Sequence, residues 1–241
     1  MLGLQESEVL DVLDTATAAG VSVGLLESML DRRLGESAAL VPIGQRDAAF
    51  VDLRVASFGP QLDARATCPS CEAEFETSID LTIFDQPARP SADSPRQAMV
   101  EVDGIQVTVR LPTRLDIEWA QTQPDPAHAL IERCMPTSDP APAGDGAGAG
   151  EWSAQTIQHI EAAIEAADPL IEIQFSYSCA ECGEQFTRRF DICDHLTNDV
   201  LSYGRRLMSE IHVLASRYGW TEPEILALPP RRRRSYLDLV H

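Results

Sequence analysis

The chain has 241 residues, with 38 acidic and 19 basic side chains and a formal net charge of −19. Every basic side chain is arginine, which excludes enzymes that use a phosphate-loop lysine, a Schiff-base lysine or a lysine general base. The charge also disfavours a general nucleic-acid binder, because such proteins need a basic surface to displace counterions. Residues 181–241 hold nine acidic and nine basic side chains, so all of the excess acidity lies in residues 1–180.

The sequence has no sign of membrane insertion or secretion. No apolar run is long enough to span a bilayer, and the N-terminus lacks the charged and apolar regions of a secretory signal. Hydrophobic residues make up 44% of the chain, which is enough for a packed core. We therefore expect a soluble protein of the cytoplasm, or one that is carried into a soluble assembly.

The first half of the chain is predicted to mix helices and strands. Apolar residues at helical spacing predict helices over 5–16 and 22–34, and partial alternation predicts a strand over 48–57. Residues 61–67 lead into a first Cys-x-x-Cys pair. Period-two alternation around Asp-Gly then predicts a hairpin over 100–109, since both turn residues tolerate positive φ.

The second half is predicted to be mainly helical, with one strand. A strand over 170–178 leads into a second Cys-x-x-Cys pair. Residues 136–150 are low in complexity and are expected to form a flexible linker. Thr113 with Asp116, and Thr221 with Glu224, have the spacing of capping boxes at helix starts. The predicted helices cover 114–121, 126–135, 153–167, 192–218, 222–228 and 230–239.

The two Cys-x-x-Cys pairs lie in matching sequences. Residues 68–81 align without gaps on residues 179–192, at a constant offset of 111. Both cysteines, a phenylalanine (Phe75 and Phe186) and an aspartate (Asp80 and Asp191) coincide. Each copy therefore predicts a strand, a tight turn with two thiols and a returning strand, which is typical of a zinc knuckle, with the phenylalanine packed beneath the turn.

One knuckle supplies two ligands, whereas structural zinc takes four in a tetrahedron. The two knuckles together predict one four-cysteine zinc site formed by Cys68, Cys71, Cys179 and Cys182. An iron site would use the same ligands, and disulfides or a thioredoxin-like redox pair remain alternatives. A closed set of four thiolates leaves no open coordination position and so disfavours metal-assisted hydrolysis. No residues form a catalytic motif, and we expect neither catalysis nor a small-molecule substrate.

The two remaining cysteines and one histidine are expected to have ordinary structural roles. Cys134 and Cys193 are expected to be buried as small hydrophobic side chains. His195 follows the second knuckle and is expected to be an ordinary core or surface histidine, with a role as an additional ligand as the alternative.

The C-terminal segment is predicted to be a helical hook: a long helix, a Gly break, a short capped helix, a Pro break and a last short helix. Its apolar residues could form a small core or a docking face. The only basic run lies here, and it could contact a partner or pair with the protein's own acidic surface. The residues expected to bind a partner are Tyr218, Trp220, Arg231, Arg232, Arg233, Arg234 and Tyr236.

This tail resembles small proteins encoded in the gene clusters of contractile phage tails and phage-tail-like injection systems. It is similar to the baseplate hub assembly proteins (assembly chaperones) of T-even-type phages. Members of that family also carry a Cys-x-x-Cys knuckle and a stretch like residues 109–113 with Asp116. The resemblance implies an assembly role, baseplate or spike/hub partners, incorporation into a phage-tail-like particle and no enzymatic activity. The similar tail residues are Leu214-Ala215, Tyr218-Gly219-Trp220-Thr221, Glu224 to Pro229, the arginine run and Tyr236-Leu237.

Together, these observations predict an α+β protein with a zinc-stapled β-rich module, inserted helices and a helical C-terminal hook. We divide the chain into N-terminal helices (1–45), the knuckle module with its linker (46–192) and a docking segment (193–241). The first functional hypothesis is a non-enzymatic baseplate assembly factor or component. The alternatives are a zinc-ribbon regulator that binds nucleic acid through Arg231–Arg234, and a redox enzyme that uses the cysteine pairs.

Overall fold

The computed structural model describes residues 3–16, 23–85, 89–91, 93–102, 105–135 and 153–240. The fold is α+β, as predicted, but the strands form separate hairpins instead of one sheet: β1 pairs with β2, β3 with β4 and β5 with β6, each antiparallel. The strands are β1 (Gln61–Thr67), β2 (Glu74–Asp80), β3 (Gln97–Val102), β4 (Ile105–Arg110), β5 (Gln174–Ser178) and β6 (Gln185–Arg189).

The helices lie close to their predicted positions, with one exception. They are α1 (Glu6–Thr15), α2 (Val23–Leu34), α3 (Ile43–Phe58), α4 (Arg114–Ala120), α5 (Pro126–Cys134), α6 (Ala154–Ala167), α7 (Ile192–Tyr218), α8 (Glu222–Leu226) and α9 (Pro230–Asp238). Short 3-10 helices cover Ala38–Leu40 and Leu81–Phe84. Both predicted capping boxes are present, at Thr113 with Asp116 and at Thr221 with Glu224. The predicted linker at 136–150 lies outside the described residues.

The prediction of a strand at 48–57 was wrong, because these residues belong to helix α3. Ala48, Ala49, Phe50, Val51 and Leu53 are all buried in this helix. A helix that is buried on most of its faces shows no clear 3.6-residue period in its sequence, so the partial alternation was misleading. The strand predicted over 170–178 is also shorter than expected, since β5 begins at Gln174.

Three hydrophobic clusters hold the elements together. The largest packs α1, α2 and α3 against the first turns of α7 and the ends of the β1–β2 and β5–β6 hairpins. A second lies between the β3–β4 hairpin, α5 and α6, where Ile157, Ile160 and Ile164 share one face, as predicted. A third joins the last half of α7 to α8, α9 and Leu10 of α1. The division at residues 45 and 192 stays a prediction.

The helices that the structure describes include none that is both long enough and apolar enough to cross a membrane. The longest, α7, has 27 residues, and it buries one face while exposing a charged one.

Candidate functional site

The two Cys-x-x-Cys pairs lie in the turns of two equivalent hairpins, β1–β2 and β5–β6. In the first hairpin, Ala66 pairs with Phe75, and in the second, Tyr177 pairs with Phe186. These pairings differ by the sequence offset of 111 at both positions. The predicted repeat is therefore a structural repeat, with the same strand register in each copy.

Each turn is closed by the same backbone hydrogen bonds. The N–H of Cys68 donates to the carbonyl of Ala73 at 2.9 Å, and the N–H of Cys179 donates to that of Glu184 at 2.8 Å. The residue after the second cysteine has positive φ in both copies, +60° for Glu72 and +76° for Gly183. This conformation suits glycine and is unfavourable for glutamate.

The turns bring the four predicted ligands together. The sulfurs of Cys68, Cys71, Cys179 and Cys182 all lie within 4.8 Å of one another. The Cys68–Cys182 and Cys71–Cys179 Sγ distances are each 3.6 Å. Tetrahedral zinc with Zn–S bonds of about 2.3 Å would place its sulfurs about 3.8 Å apart, so this arrangement could hold a metal ion. All six cysteines are free thiols.

The backbone of the first turn favours a thiolate at Cys68. Burial opposes ionisation of this thiol, but the N–H groups of Cys71 and Ser70 point to its sulfur and lower its pKa to about 7. The N–H of Ala73 lowers the pKa of Cys71, but the neighbouring sulfurs and burial together outweigh it and raise this pKa to about 12. A metal ion bound here would require the thiolate form of these cysteines.

Aromatic rings join the two hairpins. The Phe75 and Phe186 centroids lie 6.1 Å apart, and both rings also contact Tyr177. The packing of each phenylalanine beneath its own turn stays a prediction. The alignment of the two cysteine repeats did not single out Tyr177, because the equivalent position in the first repeat is Ala66, which is not aromatic. Arg188 adds a hydrogen bond from β6 to the carbonyl of Thr67, at 3.0 Å. The hairpins therefore contact each other through side chains as well as through the cysteine cluster.

The matching aspartates act as helix caps. The side chain of Asp80 accepts from the N–H of Thr82 at the start of a 3-10 helix, and that of Asp191 accepts from the N–H groups of Cys193 and Asp194 at the start of α7. The second knuckle thus leads directly into the longest helix. His195 is not among the clustered ligands, and its ring stacks on Phe190. Cys134 and Cys193 are buried, as expected.

The C-terminal hook (residues 205–240 of α7, α8 and α9) has an aromatic cluster where its helices meet. Tyr218 and Trp220 stack with centroids 4.7 Å apart, and Tyr236 meets the Trp220 ring edge-on at 4.9 Å. Tyr218 remains exposed, and the other two rings are partly buried. The cluster thus contributes to the hook's own packing and still presents one ring to solvent.

The four arginines that were expected to bind a partner differ in exposure. Arg231, Arg232 and Arg234 are exposed on α9, but Arg233 retains only 2% exposure. Its guanidinium donates to Glu6 of α1 at 2.8 Å and to Glu210 of α7 at 2.9 Å. Arg233 therefore pairs with the protein's own acidic side chains, while the other three remain available to a partner.

The Leu-Pro-Thr stretch, residues 111–113, forms a junction around one buried carboxylate. Asp116 accepts from the Arg110 guanidinium at 2.7 and 3.0 Å, from Arg133 at 2.8 Å and from the N–H of Thr113 at 2.9 Å. Burial alone would raise the pKa of Asp116, but these donors hold it well below its usual range. The residues of this stretch thus have a structural role that joins β4, α4 and α5.

Comparisons with known proteins agree with this picture. The model of a family described as T4 bacteriophage base plate protein matches residues 6–137. The match includes the first cysteine pair and the Leu-Pro-Thr stretch, whereas the second pair and the hook lie outside it. No curated protein and no solved structure matches the chain. Since the match covers more than half of the sequence, the chain belongs to the T4 bacteriophage base plate protein family.

Proposed function

We propose that this protein is a non-enzymatic assembly factor or structural component of the baseplate of a contractile phage tail or a phage-tail-like injection system. Membership of a baseplate family implies contact with other baseplate proteins and a place in a tail particle. Proteins of such structural families are typically not enzymes. The closed set of four sulfurs supports the same conclusion, because it leaves no coordination position for a substrate.

We propose that the cysteine cluster binds one structural zinc ion. Cys71 and Cys179 are separated by 107 residues, so a metal at this point would close a long loop. It would also join the part of the chain that matches the family to the part that follows it. Because ordering of the ligands is coupled to folding, the binding free energy of the metal contributes to stability.

Native mass spectrometry and thermal unfolding, each with and without a chelator, test the zinc site. We expect one zinc per chain and a large fall in melting temperature when it is removed. Changing Cys68, Cys71, Cys179 and Cys182 to serine should reproduce this fall, whereas Cys134→Ser should not release metal. Purification with iron instead of zinc, or no metal together with an unchanged melting temperature, would reject the proposal.

We propose that the hook is the docking element. Exposed Tyr218, with Trp220 and Tyr236 beside it, offers an aromatic anchor of the kind found at interface hot spots. Arg231, Arg232 and Arg234 would form a charged rim that favours an acidic partner. They are the three arginines of the predicted partner-binding set that are exposed.

Co-purification of tagged protein with baseplate and spike proteins tests the docking surface. The double variant Arg231→Glu/Arg232→Glu should lose these proteins while unfolding like the wild type. The matched double variant Arg65→Glu/Arg189→Glu, with both changes at exposed positions outside the hook, should retain them. Equal retention by both variants would remove the hook from the proposal.

Binding of nucleic acid through the same exposed arginines is the competing function. A filter-binding titration over a range of salt concentrations separates the two. Tight binding that falls steeply with salt would favour the regulator. We expect only weak binding, because the whole chain carries a net charge of −19.

A further inference from the structure

Each knuckle has one exposed and one buried cysteine. Cys71 and Cys182 are exposed, whereas Cys68 and Cys179 are buried. The rate at which a thiol reacts with an oxidant depends on solvent access as well as on its thiolate character. An oxidant dissolved in water therefore reaches Cys71 and Cys182 first, so each knuckle presents one point of attack.

The sulfur contacts connect each exposed cysteine to a buried cysteine of the other knuckle. The Sγ atom of Cys71 lies 3.6 Å from that of Cys179, and the Sγ atom of Cys182 lies 3.6 Å from that of Cys68. Both contacts thus cross from one hairpin to the other, between residues that are 108 and 114 positions apart in the sequence. Each exposed sulfur has a second thiol beside it, in the position of a resolving cysteine.

Side chains outside the cluster also hold the two hairpins together. The centroid of the Phe75 ring lies 5.8 Å from that of Tyr177 and 6.1 Å from that of Phe186. Arg188 donates to the carbonyl of Thr67 at 3.0 Å. These contacts do not involve the sulfurs, so we expect the hairpins to stay side by side while the bonding among the four sulfurs changes.

We propose that the cysteine cluster is a site of reversible oxidation by peroxides. Oxidation converts the four thiols into two disulfides, Cys71–Cys179 and Cys68–Cys182, which join the β1–β2 hairpin to the β5–β6 hairpin. This pairing follows from the sulfur contacts and does not depend on a metal. Release of zinc on oxidation rests on the proposed zinc site, because loss of all four thiolates leaves no ligand for the ion.

The reaction has two steps for each disulfide. The Cys71 thiolate attacks one oxygen of the peroxide, the O–O bond breaks, and hydroxide leaves from a sulfenic acid. The Cys179 thiolate then attacks the Cys71 sulfur, the S–S bond forms, and a second hydroxide leaves. Two protons from solvent convert the hydroxides to water. The two sulfurs lose two electrons and one hydrogen peroxide gains them, and Cys182 with Cys68 consumes a second peroxide in the same way.

The thiol and disulfide states suit different surroundings. In a reducing cytoplasm the cysteines stay as thiols and can bind a metal. A tail particle that leaves the cell, as the proposed function implies, loses that reducing environment. Two disulfides between the hairpins would then close the same long loop that the metal closes, so the fold would no longer depend on a supply of zinc.

Peroxide titration of the full-length, zinc-loaded protein tests the oxidation site. Two equivalents of hydrogen peroxide should remove four of the six thiols and release one zinc, and dithiothreitol should restore the thiols. Cys134 and Cys193 are buried and should remain reduced. Tandem mass spectrometry of the unreduced peptides should show the two proposed disulfides. Thiols that resist excess peroxide, or disulfides within each Cys-x-x-Cys pair, would overturn the proposal.

Two double variants with equal numbers of thiols test the pairing. Cys71→Ser/Cys179→Ser retains the contact between Cys68 and Cys182, whereas Cys68→Ser/Cys71→Ser lacks both 3.6 Å contacts. Disulfide formation should be at least about tenfold faster in the first variant, because proximity of the two sulfurs favours the second step. Equal rates would contradict the pairing. If either variant does not fold, the disulfides found in the wild type decide.

Thermal unfolding distinguishes this proposal from the zinc site. Oxidised, metal-free protein should melt at a higher temperature than reduced, metal-free protein, because the cross-links restrict the unfolded chain. Equal melting temperatures would reject the disulfides as a replacement for the metal. If the protein holds no zinc but forms the two disulfides, the zinc site fails and the oxidation site stands. If it holds zinc and its thiols resist peroxide, the oxidation site fails and the zinc site stands.

Discussion

Arg233 of α9 and Glu6 of α1 are 227 positions apart in the sequence and are joined by two hydrogen bonds, of 2.5 and 2.8 Å. The hydroxyl of Tyr203 donates to the same carboxylate at 2.6 Å, and Glu210 pairs with the same guanidinium at 2.9 Å. This network fixes the last helix of the hook to the first helix of the chain. The orientation of the proposed docking surface thus depends on a contact between α9 and α1.

We predict that Arg233→Ala destabilises the protein by about 3 kcal/mol. The change leaves two carboxylates facing each other without a cation, and loss of one partner of a buried ion pair typically costs about 3–5 kcal/mol. The lower value applies because Glu6 and Glu210 retain 20% and 23% side-chain exposure. Urea unfolding measures the effect. Arg234→Ala, at an exposed neighbouring position, should change stability by less than about 0.5 kcal/mol, and equal losses in the two variants would contradict this role for Arg233.

The sequence predicts the local features of this fold better than the contacts between distant segments. The cysteine pairs could be matched because the repeat keeps one offset, and the capping boxes could be found because their residues are three positions apart. Four consecutive arginines on a helix point in four directions, about 100° apart. Tyr236 and Leu237 follow Arg233 by three and four positions and pack in the third cluster, so their spacing marks Arg233 as the arginine on the inner face. No local pattern indicated that its partners would be Glu6 of α1 and Glu210 of α7.

We predict that Glu72→Gly stabilises the protein by about 0.5–1 kcal/mol. Glu72 has φ of +60°, a conformation that costs a residue with a Cβ about 1–2 kcal/mol, part of which is offset by the greater freedom of glycine in the unfolded chain. Thermal and urea unfolding of the metal-loaded protein measure the change. Glu72→Ala is the control, because it removes the same exposed carboxylate and retains the Cβ.

The second knuckle provides the reciprocal experiment. Gly183 has φ of +76°, and a Cβ added there would meet no atom within 4 Å. Gly183→Ala should therefore destabilise the protein by about 1 kcal/mol through backbone conformation alone. In the first knuckle, a gain in stability in Glu72→Ala as large as that in Glu72→Gly would show that loss of the carboxylate charge, not the backbone conformation, causes the stabilisation.

We predict that Asp116→Asn costs about 2 kcal/mol at pH 7. The amide cannot accept from Arg110, Arg133 and Thr113 together, and its NH₂ would face two guanidinium groups. The estimate lies below the usual loss for a buried pair because the two arginines retain 39% and 38% exposure. Urea unfolding, with hydrogen exchange at α4, measures the loss, and a cost below about 0.5 kcal/mol would contradict the role of Asp116 as a junction.

The pH dependence of this cost has a defined sign. The pKa of Asp116 is lowered in the folded state from an ordinary value of 3.8. Its contribution to stability is therefore fully present above about pH 4 and is lost as the pH falls through the folded pKa. The difference between the wild type and Asp116→Asn should be constant from pH 8 to pH 5 and should shrink below pH 4.

Asp168 is a buried carboxyl group whose pKa is raised, in contrast to that of Asp116. It ends α6, is fully buried, and accepts from the N–H of Gly44 at 2.8 Å, while its Oδ1 has no partner. A Cβ on Gly44 would lie 2.0 Å from that Oδ1, so the close approach of the two segments requires glycine. Burial, opposed by the Gly44 N–H and reinforced by the nearby charge of Asp47, raises the pKa of Asp168 to about 6.

We predict that Asp168→Asn stabilises the protein at pH 8 by up to about 3 kcal/mol, the free energy that corresponds to a pKa raised from 3.8 to about 6. Between these two values the folded protein binds more protons than the unfolded chain, so the wild type gains stability as the pH falls from about 6 to about 4. The variant lacks this gain, and its advantage should disappear over the same interval. Urea unfolding at several pH values measures it, with the exposed Asp63→Asn as the control that should give no such trend. Lower stability of Asp168→Asn at pH 8 would contradict the raised pKa of Asp168. It would show that the charged hydrogen bond from Gly44 outweighs the cost of burying the carboxylate.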